Sequence, residues 1–346
     1  MDMCVSTDLR CCGLEVVLLQ NDLLKVEILP EAGAKVWQIT YMPLNAQLLW
    51  NNPQIDPTTH TVRDCYDDVW SGGWDELFPN DEEAFIAGKR YPDHGELWSG
   101  RWEAQPFASV DEVGVKLRFR TPVSSVLLEK TITLRRGSAC VFFSHRLTNE
   151  AMEPFPFLWK LHPAFAVSAA HRIDFPPMRV VREMAFSGTL ETAPEQFEWP
   201  YTTVNGQEVD LRNVPGSEQK QLHFFYGTGI QSGWCAITNA ANRLSCGLRF
   251  DPEVFSCCWL FGSYGGWRDL NVAVLEPCTG YPLNFDAMMA AGREKVLAPG
   301  ETMTTEVIFS VQPNRDWVSY IDENGIIVQE ADAELPTREM VSQDHG

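Results

Sequence analysis

Lys160 and His162 lie two residues apart in residues 157–165, whose sequence is FLWKLHPAF. Because side chains alternate between the two faces of a strand, this segment would present Lys160 and His162 on one face. The other face would carry the apolar residues Phe157, Trp159 and Leu161. An ammonium group and an imidazole on one face can donate or accept protons, so we predict that this strand borders an active site or a binding pocket.

His94 and Glu276 are the residues that would complete an acid–base site. His94 lies in a Pro-Asp-His-Gly turn, and Glu276 ends a predicted strand immediately before a proline. The ordinary pKa of histidine is about 6.5, and burial raises the pKa of a glutamic acid toward the same range. Val272 and Val274 share the predicted strand face of Glu276 and would supply that burial. Two imidazoles and one half-buried carboxyl group therefore form a candidate acid–base set.

Two short segments concentrate aromatic and acidic residues, namely residues 71–80 (SGGWDELFPN) and residues 91–103 (YPDHGELWSGRWE). Loops on a rigid sheet commonly carry binding residues, and indole rings stack well on the apolar face of a sugar ring. The candidate sugar-binding residues are Asp75 and Glu76 as hydroxyl acceptors, and Trp98 and Trp267 as stacking rings. The alternative is that the tryptophans only close one end of a β-sandwich or barrel, and that the two acids are ordinary surface-loop residues.

A negatively charged group on a sugar is a further candidate ligand. Lys160, which shares its face with His162, could meet a carboxylate, sulfonate or phosphate, and Arg101 and Arg268 could assist. Alternatively, Lys160 pairs with a neighbouring glutamate on the sheet face. His145 shares its predicted face with apolar residues, so we interpret it as a packed or sheet-face histidine rather than a catalytic one.

Strands dominate the predicted secondary structure. A hairpin is predicted within residues 23–41, long loops in 43–70, irregular excursions in 171–221 and a single helix over 286–292. The predicted strands cover residues 115–120, 125–135, 140–149, 222–226, 234–238, 246–250, 257–261, 270–276 and 298–311.

This pattern predicts an all-β fold built as a large antiparallel sandwich, because many short strands are separated by turns and helices are few. A parallel α/β fold would need alternating helical patterns of about a dozen residues, which are missing. There is no G-x-G-x-x-G segment after a strand and no P-loop, so no nucleotide cofactor is predicted. We expect one domain over residues 1–315 and an acidic tail over residues 316–346.

Composition and charge exclude several classes of partner. The 346 residues carry a formal net charge of -20, with a sequence pI of about 4.7. Clustered Lys and Arg for phosphate neutralisation are missing, so no nucleic-acid partner is predicted. The ten cysteines show no C-x-x-C spacing, which favours reduced thiols without zinc. With no signal peptide and no membrane-spanning run, we expect a cytoplasmic protein, either a monomer or a homodimer.

The ordered motifs GGWDELFPN, DHGELW, LHPAF and LEP together resemble the aldose 1-epimerase, or galactose mutarotase-like, superfamily. The resemblance spans roughly residues 20–312. It implies a large antiparallel β-supersandwich with a sugar cleft on a concave face, and a reaction that needs neither metal nor cofactor.

The resemblance also implies catalytic roles. Glu276 matches the general base, His162 matches the general acid and His94 matches an assisting histidine. The implied reaction interconverts the α and β anomers of a monosaccharide through ring opening and closure. One feature departs from the pattern of galactose mutarotases, because the aspartate that binds sugar hydroxyls has no matching segment between His162 and Glu276; Asp210 is a candidate by position only.

Two other functions remain open from the sequence. One is a sugar-binding or regulatory protein that has the fold without turnover. The other is an isomerase, epimerase or lyase acting on a sugar acid, since a Glu/His pair can abstract a proton next to a carbonyl. A metal-dependent cupin-like isomerase is disfavoured because the close His-x-His spacing of such sites is missing.

Overall fold

Two large antiparallel sheets contain most of the strands in the computed structural model, which describes residues 3–186 and 188–330. The strands of the first half, in chain order, are β1 (Cys4–Cys11), β2 (Leu14–Gln20), β3 (Leu24–Leu29), β4 (Lys35–Tyr41), β5 (Ala46–Gln47), β6 (Trp74–Leu77), β7 (Ala84–Ile86), β8 (Lys89–Tyr91), β9 (Glu103–Ala108), β10 (Glu112–Arg120), β11 (Val126–Arg135), β12 (Cys140–Asn149), β13 (Phe155–Phe157) and β14 (Lys160–Ala166).

The strands of the second half are β15 (His171–Asp174), β16 (Arg179–Arg182), β17 (Gln196–Glu198), β18 (Tyr201–Val204), β19 (Gln207–Asp210), β20 (Gln221–Thr228), β21 (Trp234–Asn239), β22 (Leu244–Phe250), β23 (Cys257–Tyr264), β24 (Asn271–Cys278), β25 (Lys295–Leu297), β26 (Thr302–Pro313), β27 (Tyr320–Ile321) and β28 (Ile327–Val328). The helices are short: α1 (Tyr66–Val69) and α2 (Phe285–Ala290), with 3-10 turns at Met42–Leu44, Gly188–Leu190 and Ser217–Gln219.

The strand order explains how distant segments come together. The first sheet has the order β1-β2-β3-β4-β6-β14-β24-β23-β20-β16-β17, with β5 paired to β4. The second has the order β15-β21-β22-β26-β12-β11-β10-β9, and the remaining strands form two-stranded hairpins or pairs. The predicted all-β class and antiparallel sandwich are therefore confirmed.

The two sheets bury a large apolar core between them. Alternate residues of β11 and β12, such as Ile132 and Phe143, are fully or almost fully buried in this core. On the neighbouring first sheet, Leu161 of β14 and Leu275 of β24 enter the same core. Because a strand has two faces, the residues adjacent to Leu161 and Leu275 in sequence point to the opposite face of the first sheet.

That opposite face is covered by loops and forms a second, smaller aromatic cluster. The cluster contains Trp50, Tyr66, Trp70, Leu77, Trp98, Ala164, Val272 and Val274. Residues 43–70, predicted as loops, supply the first three of these and also contain helix α1. The loop segment and the outer face of the first sheet together enclose the candidate site.

The C-terminal part differs from the predicted boundary after residue 315. Val318, Ile321 and Ile327 are buried and pack on Trp234 of β21, and β27 pairs with β28. The packed structure therefore continues into the segment assigned to the tail, because three apolar residues interrupt its polar sequence. The rest of the predicted tail, residues 331–346, lies outside the described residues.

Within residues 3–186 and 188–330, no helix has the length and apolar character needed to cross a membrane.

Candidate active site

Strands β14 and β24 carry the central residues of the site on the loop-covered face of the first sheet. The two strands pair antiparallel, with Lys160 opposite Cys278 and Ala164 opposite Val274. The register of these flanking pairs puts His162 level with Glu276. Directly opposed residues of an antiparallel pair point to the same face with their Cα atoms about 4.5–5.5 Å apart. Two residues more than a hundred positions apart in sequence are thus neighbours.

A cavity of about 350 Å³ lies over these strands. Lys160, His162, His94 and Glu276 all line it. Its polar part also contains the carboxyl groups of Asp67, Asp81, Glu82 and Asp93. Its apolar wall is formed by Phe186, Phe224, Phe261, Trp267 and Leu283. The cavity therefore combines acid–base groups with aromatic rings, as expected of a pocket for a small polar ligand with an apolar face.

Lys160 forms an ion pair with each of two carboxylates inside the cavity. Its Nζ lies 2.6 Å from Oε2 of Glu276 and 2.7 Å from Oδ1 of Asp81. The ammonium group also lies 4.4 Å from the ring centre of Trp259. Burial alone would lower the pKa of Lys160, but the charges of Asp81 and Glu276 outweigh it and raise the pKa. Lys160 is therefore a permanent cation whose charge is already balanced.

Glu276 is only 1% exposed. Burial raises its pKa, and the nearby charge of Asp81 acts in the same direction, while Lys160 opposes both effects. The net result is a raised pKa, as predicted from the apolar neighbours of Glu276. A carboxylate with a raised pKa is a stronger base, so Glu276 is suited to accept a proton from a hydroxyl group.

His162 is tied to the protein interior through a chain of polar contacts. Its Nδ1 lies 3.2 Å from the hydroxyl oxygen of Tyr66, and that hydroxyl donates a hydrogen bond of 2.8 Å to Oδ2 of Asp75. Nζ of Lys35 lies 2.8 Å from the same Asp75 oxygen. Burial lowers the pKa of His162 well below its ordinary value, and the positive charge of Lys160 adds to the effect.

His94 occupies a different electrostatic environment on the other side of Tyr66. Its ring stacks on the Tyr66 ring with the centroids 4.2 Å apart. Nδ1 of His94 lies 3.0 Å from Oδ1 of Asp93, and Nε2 lies 3.8 Å from Oδ1 of Asp81. Burial would lower the pKa of His94, but these two carboxylates outweigh it and raise the pKa.

The turn that carries His94 has an unusual backbone. His94 has a φ of 60°, in the left-handed region that few residues other than glycine adopt. Its backbone N–H donates a hydrogen bond of 2.5 Å to the carbonyl oxygen of Asp81. This bond fixes the turn against the segment that carries Asp81, so the imidazole and the Asp81 carboxylate enter the cavity together.

The structure distributes the predicted substrate-binding residues over several places. Trp267 lines the cavity wall, with Arg268 stacked on its ring at 4.7 Å. Trp98 is buried behind the wall and contacts the edge of the Tyr66 ring, with the centroids 5.1 Å apart. Asp75 is also buried one layer back, where it holds Tyr66 rather than lining the cavity.

Three further predicted acceptors or cations lie outside the cavity. Arg101 is exposed, and its guanidinium donates a hydrogen bond of 2.6 Å to Glu31. Asp210 forms an ion pair of 2.7 Å with Arg212 at the end of β19. Glu76 faces the core between the sheets, because it alternates with Asp75 along β6. The structure therefore does not bring the candidate cation Arg101, the candidate hydroxyl acceptor Glu76 or the positional candidate Asp210 to the cavity.

Glu76 is the polar partner of the buried residue His145 in the core between the sheets. Oε1 of Glu76 lies 2.9 Å from Nζ of Lys130 and 3.1 Å from Nε2 of His145, and Oε2 accepts a hydrogen bond of 3.2 Å from Trp159 Nε1. The prediction that His145 is packed on a sheet face is confirmed. The four side chains form a buried polar cluster between the sheets.

Several residues of the site were not identified from the sequence, among them Tyr66, Lys35 and Asp81. Tyr66 and Lys35 come from segments without a motif, and only the three-dimensional contacts bring them to His162. Asp81 follows the motif GGWDELFPN directly. Its position after that motif is the one sequence signal that could have identified it. In the part of the chain that the structure describes, no group of three His, Cys, Asp or Glu side chains is arranged to hold a metal ion.

Comparison with solved structures gives the same fold in several proteins. A protein of Synechocystis sp. PCC 6803 matches with a TM-score of 0.65 and 18% identity, over 90% of this chain and 99% of that chain. A galactose mutarotase-like protein of Clostridium acetobutylicum matches with a TM-score of 0.64 and 13% identity, over 90% of this chain and 99% of that chain.

The galactose mutarotase related enzyme of Lactobacillus acidophilus matches with a TM-score of 0.59 and 14% identity, over 88% of this chain and 100% of that chain. No protein-family model and no curated protein sequence match the chain. At these identities the likeness concerns the fold, and the chain has the galactose mutarotase-like fold.

Proposed function

We propose that this chain is an enzyme of the aldose 1-epimerase type, which interconverts the α and β anomers of a neutral monosaccharide. The observation that carries the proposal is the juxtaposition of Glu276 with His162 and His94 along one cavity of about 350 Å³. A cavity of this size holds a small molecule, and the required catalysts are one base and one acid.

The reaction needs two proton transfers and the reversible cleavage of the C1–O5 bond. The Glu276 carboxylate takes the proton from the anomeric hydroxyl, and the C1–O1 bond becomes the aldehyde double bond. The C1–O5 bond breaks with its electron pair on O5, which receives a proton from an imidazolium. The aldehyde turns about the C1–C2 bond, and ring closure on its other face returns both protons. General acid and base catalysis each supply roughly 10²–10⁴ in rate.

The rest of the cavity supports sugar binding. Carboxylates accept hydrogen bonds from hydroxyl groups, and Asp67, Asp81 and Asp93 line the polar part. Trp267 and Phe261 in the wall can stack on the apolar face of a pyranose. Lys160 already balances Glu276 and Asp81, which supports a neutral sugar over an anionic one.

Anomer exchange measured by saturation-transfer NMR or polarimetry tests this proposal. The wild-type chain should accelerate exchange of at least one neutral aldose. Glu276→Gln keeps the shape of the side chain but removes the base, so the rate should fall by roughly 10²–10⁴. Sugar binding, followed by tryptophan fluorescence, should persist in this variant.

Arg101→Ala provides the matched control, because Arg101 is exposed and lies outside the cavity. Its exchange rate should equal that of the wild type. Sugar binding without acceleration of exchange by any neutral aldose would instead identify a non-catalytic binding protein. An undiminished rate in Glu276→Gln would remove Glu276 from the mechanism.

A further inference from the structure

Tyr66 is the one side chain in residues 3–186 and 188–330 whose ring contacts the rings of both His94 and His162 and whose hydroxyl is hydrogen-bonded to one of them. It stacks on His94, with the centroids 4.2 Å apart, and its hydroxyl oxygen lies 3.2 Å from Nδ1 of His162. The two imidazoles are nearly perpendicular, with their centroids 6.4 Å apart. Tyr66 is fully buried, so neither contact competes with bulk water. The Tyr66 ring therefore supports His94, and the proton of His162 depends on how Tyr66 uses its hydroxyl.

The single proton of the Tyr66 hydroxyl is already committed. A carboxylate only accepts hydrogen bonds, and Asp75 Oδ2 lies 2.8 Å from the Tyr66 oxygen while it also meets Lys35 at 2.8 Å. If Tyr66 donated to His162 instead, two oxygen lone pairs would face each other at that distance inside the protein, which is costly. Tyr66 must therefore donate to Asp75 and accept a hydrogen bond from Nδ1–H of His162.

This assignment fixes the tautomer of His162. In a neutral imidazole one nitrogen carries the proton and the other presents a lone pair. With the proton on Nδ1, the Nε2 atom of His162 is an acceptor. A neutral His162 in this tautomer can accept a hydrogen bond from a sugar hydroxyl, but it has no Nε2 proton to give to the ring oxygen.

The charges around the two histidines differ in sign. Around His94, the charged and titratable groups are Asp93, Asp81, Asp67, Glu276, Lys160, His162 and Tyr66, of which the first four are carboxyl groups. Around His162, they are Lys160, Lys35, His94, Asp75, Glu276 and Tyr66. Asp75 is already paired with Lys35, and Glu276 is already paired with Lys160. Opposite charges favour the imidazolium of His94, while like charges and burial oppose that of His162.

We propose, on the basis of the anomer interconversion above, that His94 rather than His162 donates the proton to the ring oxygen, and that Tyr66 is the positioning residue which holds His162 as a hydrogen-bond acceptor. In the ring-opening step, Glu276 gains the O1 proton, and the C1–O5 electron pair goes to O5. O5 then takes the proton of the His94 imidazolium, which becomes neutral. Ring closure reverses both transfers. The raised pKa of His94 and the lowered pKa of His162 agree with this division.

Nitrogen-15 NMR of the full-length chain tests the tautomer directly and without reference to activity. His94→Gln and His162→Gln identify the two sets of ring signals. The wild type should show His162 as a neutral ring protonated at Nδ1 from pH 6 to 8, and His94 titrating above pH 6.5. A proton on Nε2 of neutral His162, or His162 titrating at a higher pH than His94, would overturn the proposal.

Tyr66→Phe keeps the ring that stacks on His94 and removes the oxygen that meets His162. The Nδ1–H signal of His162 should then give way to a mixture of tautomers. Asp75→Asn is a second route to the same change, because its amide can donate to the Tyr66 oxygen and free the hydroxyl proton for Nδ1. If both variants fold, by circular dichroism, and leave the tautomer unchanged, Tyr66 does not set it.

The kinetic test separates the two histidines. His94→Gln should lower kcat and remove the alkaline limb of the pH–rate profile. His162→Gln retains an acceptor oxygen, so it should raise KM more than it lowers kcat and keep that limb. The reverse pattern would return the donor role to His162. If the wild type does not accelerate anomer exchange, the proposed function fails while the NMR result on the tautomer stands.

Discussion

Nζ of Lys160 lies 2.6 Å from Oε2 of Glu276, so the proposed base is paired with a buried cation from the neighbouring strand. The same ammonium lies 2.7 Å from Oδ1 of Asp81. One positive charge is thus shared by two carboxylates, and the three side chains are almost completely buried. This arrangement limits both the charge of the substrate and the pH range in which Glu276 is ionised.

The first prediction concerns substrate charge. Lys160 is occupied, and further carboxyl groups, among them Asp67 and Asp93, line the cavity. A uronate or a sugar phosphate would bring a new negative charge toward them, and about 1.4 kcal/mol of repulsion already lowers affinity tenfold. We expect kcat/KM for neutral aldoses to exceed that for uronates and hexose phosphates at least tenfold.

Kinetic measurements at two salt concentrations check this prediction. The Debye length is about 10 Å at 0.1 M salt and shortens as the salt concentration rises. High salt should therefore reduce the difference in kcat/KM between neutral and anionic sugars. Arg268 stacks on the cavity residue Trp267, and its guanidinium donates a hydrogen bond of 2.7 Å to Asp68. Arg268→Ala tests whether this cation offsets the repulsion between an anionic sugar and the cavity carboxylates. Faster turnover of an anionic sugar at low salt would contradict the prediction and revive Lys160 as an anion-binding residue.

The second prediction concerns Lys160 itself. Lys160→Met leaves Glu276 and Asp81 without their shared cation in a buried site. The pKa of Glu276 should therefore rise further, and the acid limb of the pH–rate profile should move to higher pH. Loss of one partner from a buried ionic group typically costs about 3–5 kcal/mol of folding free energy.

A double-mutant cycle checks the origin of that cost. Asp81→Asn removes one of the two carboxylates, so Lys160→Met combined with Asp81→Asn should be more stable in urea unfolding than Lys160→Met alone. In the double variant, the acid limb of the pH–rate profile should also return toward lower pH. If the two substitutions are simply additive, the two residues do not interact as their distance implies.

The strand face could be predicted from the sequence because it depends on a local rule. The alternation in residues 157–165 places Lys160 and His162 on one face, and their position on the cavity side of β14 confirms that reading. The same alternation places Val272 and Val274 on the face of Glu276, which predicts its apolar environment. Strand order, by contrast, depends on pairing between distant segments, and here the sequence supplied only the resemblance to a known fold.

The surroundings of those residues could not be predicted. Tyr66 lies in a segment without periodicity, and its contacts with His162 and His94 depend on how that segment folds over the sheet. Asp75 and Glu76 are adjacent in a strand, so their side chains must point to opposite faces of the sheet. The prediction that both accept hydrogen bonds from one sugar did not take this alternation into account. Arg101 belongs to a motif-rich segment, but no sequence rule fixed which way it points.

The third prediction concerns the polar cluster between the sheets. The charge of Lys130 and the contact with His145 outweigh burial and hold the pKa of Glu76 well below its usual range. Glu76→Gln would leave the Lys130 ammonium buried without its counter-charge. We expect this change to reduce the free energy of unfolding by about 3–5 kcal/mol.

Glu129→Gln is the matched control for this change. Glu129 precedes Lys130 on β11 but is only half-buried, on the outer face of the sheet, and its ion pairs with Arg118 and Arg146 are 3.9 and 3.5 Å long. The same substitution there should alter unfolding by no more than about 0.5 kcal/mol. Equal effects of the two substitutions in urea unfolding would show that the Glu76 cluster contributes little.

The fourth prediction concerns His223, a buried histidine of β20. Burial lowers its pKa to about 4, from the ordinary value of 6.5. Nε2 lies 3.1 Å from Oε1 of Gln221, while Nδ1 has no hydrogen-bond partner among the described residues, so a proton added there would be buried without a hydrogen bond. Its neutral form is therefore the one that the folded state accommodates.

The sign of the resulting pH dependence follows from proton linkage. Between pH 6.5 and 4 the unfolded chain binds a proton at His223 that the folded chain does not, so stability is complete above pH 6.5 and falls as the pH falls. The slope is about 1.4 kcal/mol per pH unit, which gives a loss of about 2 kcal/mol between pH 6.5 and 5.

Urea unfolding of the wild type and of His223→Gln at pH 7.5 and pH 5 measures this loss of stability. Comparing the two pH values within each variant cancels the cost of replacing the ring, and His223→Gln should lose about 2 kcal/mol less than the wild type. Equal losses would mean that the imidazole of His223 is protonated in the folded chain as readily as in the unfolded one.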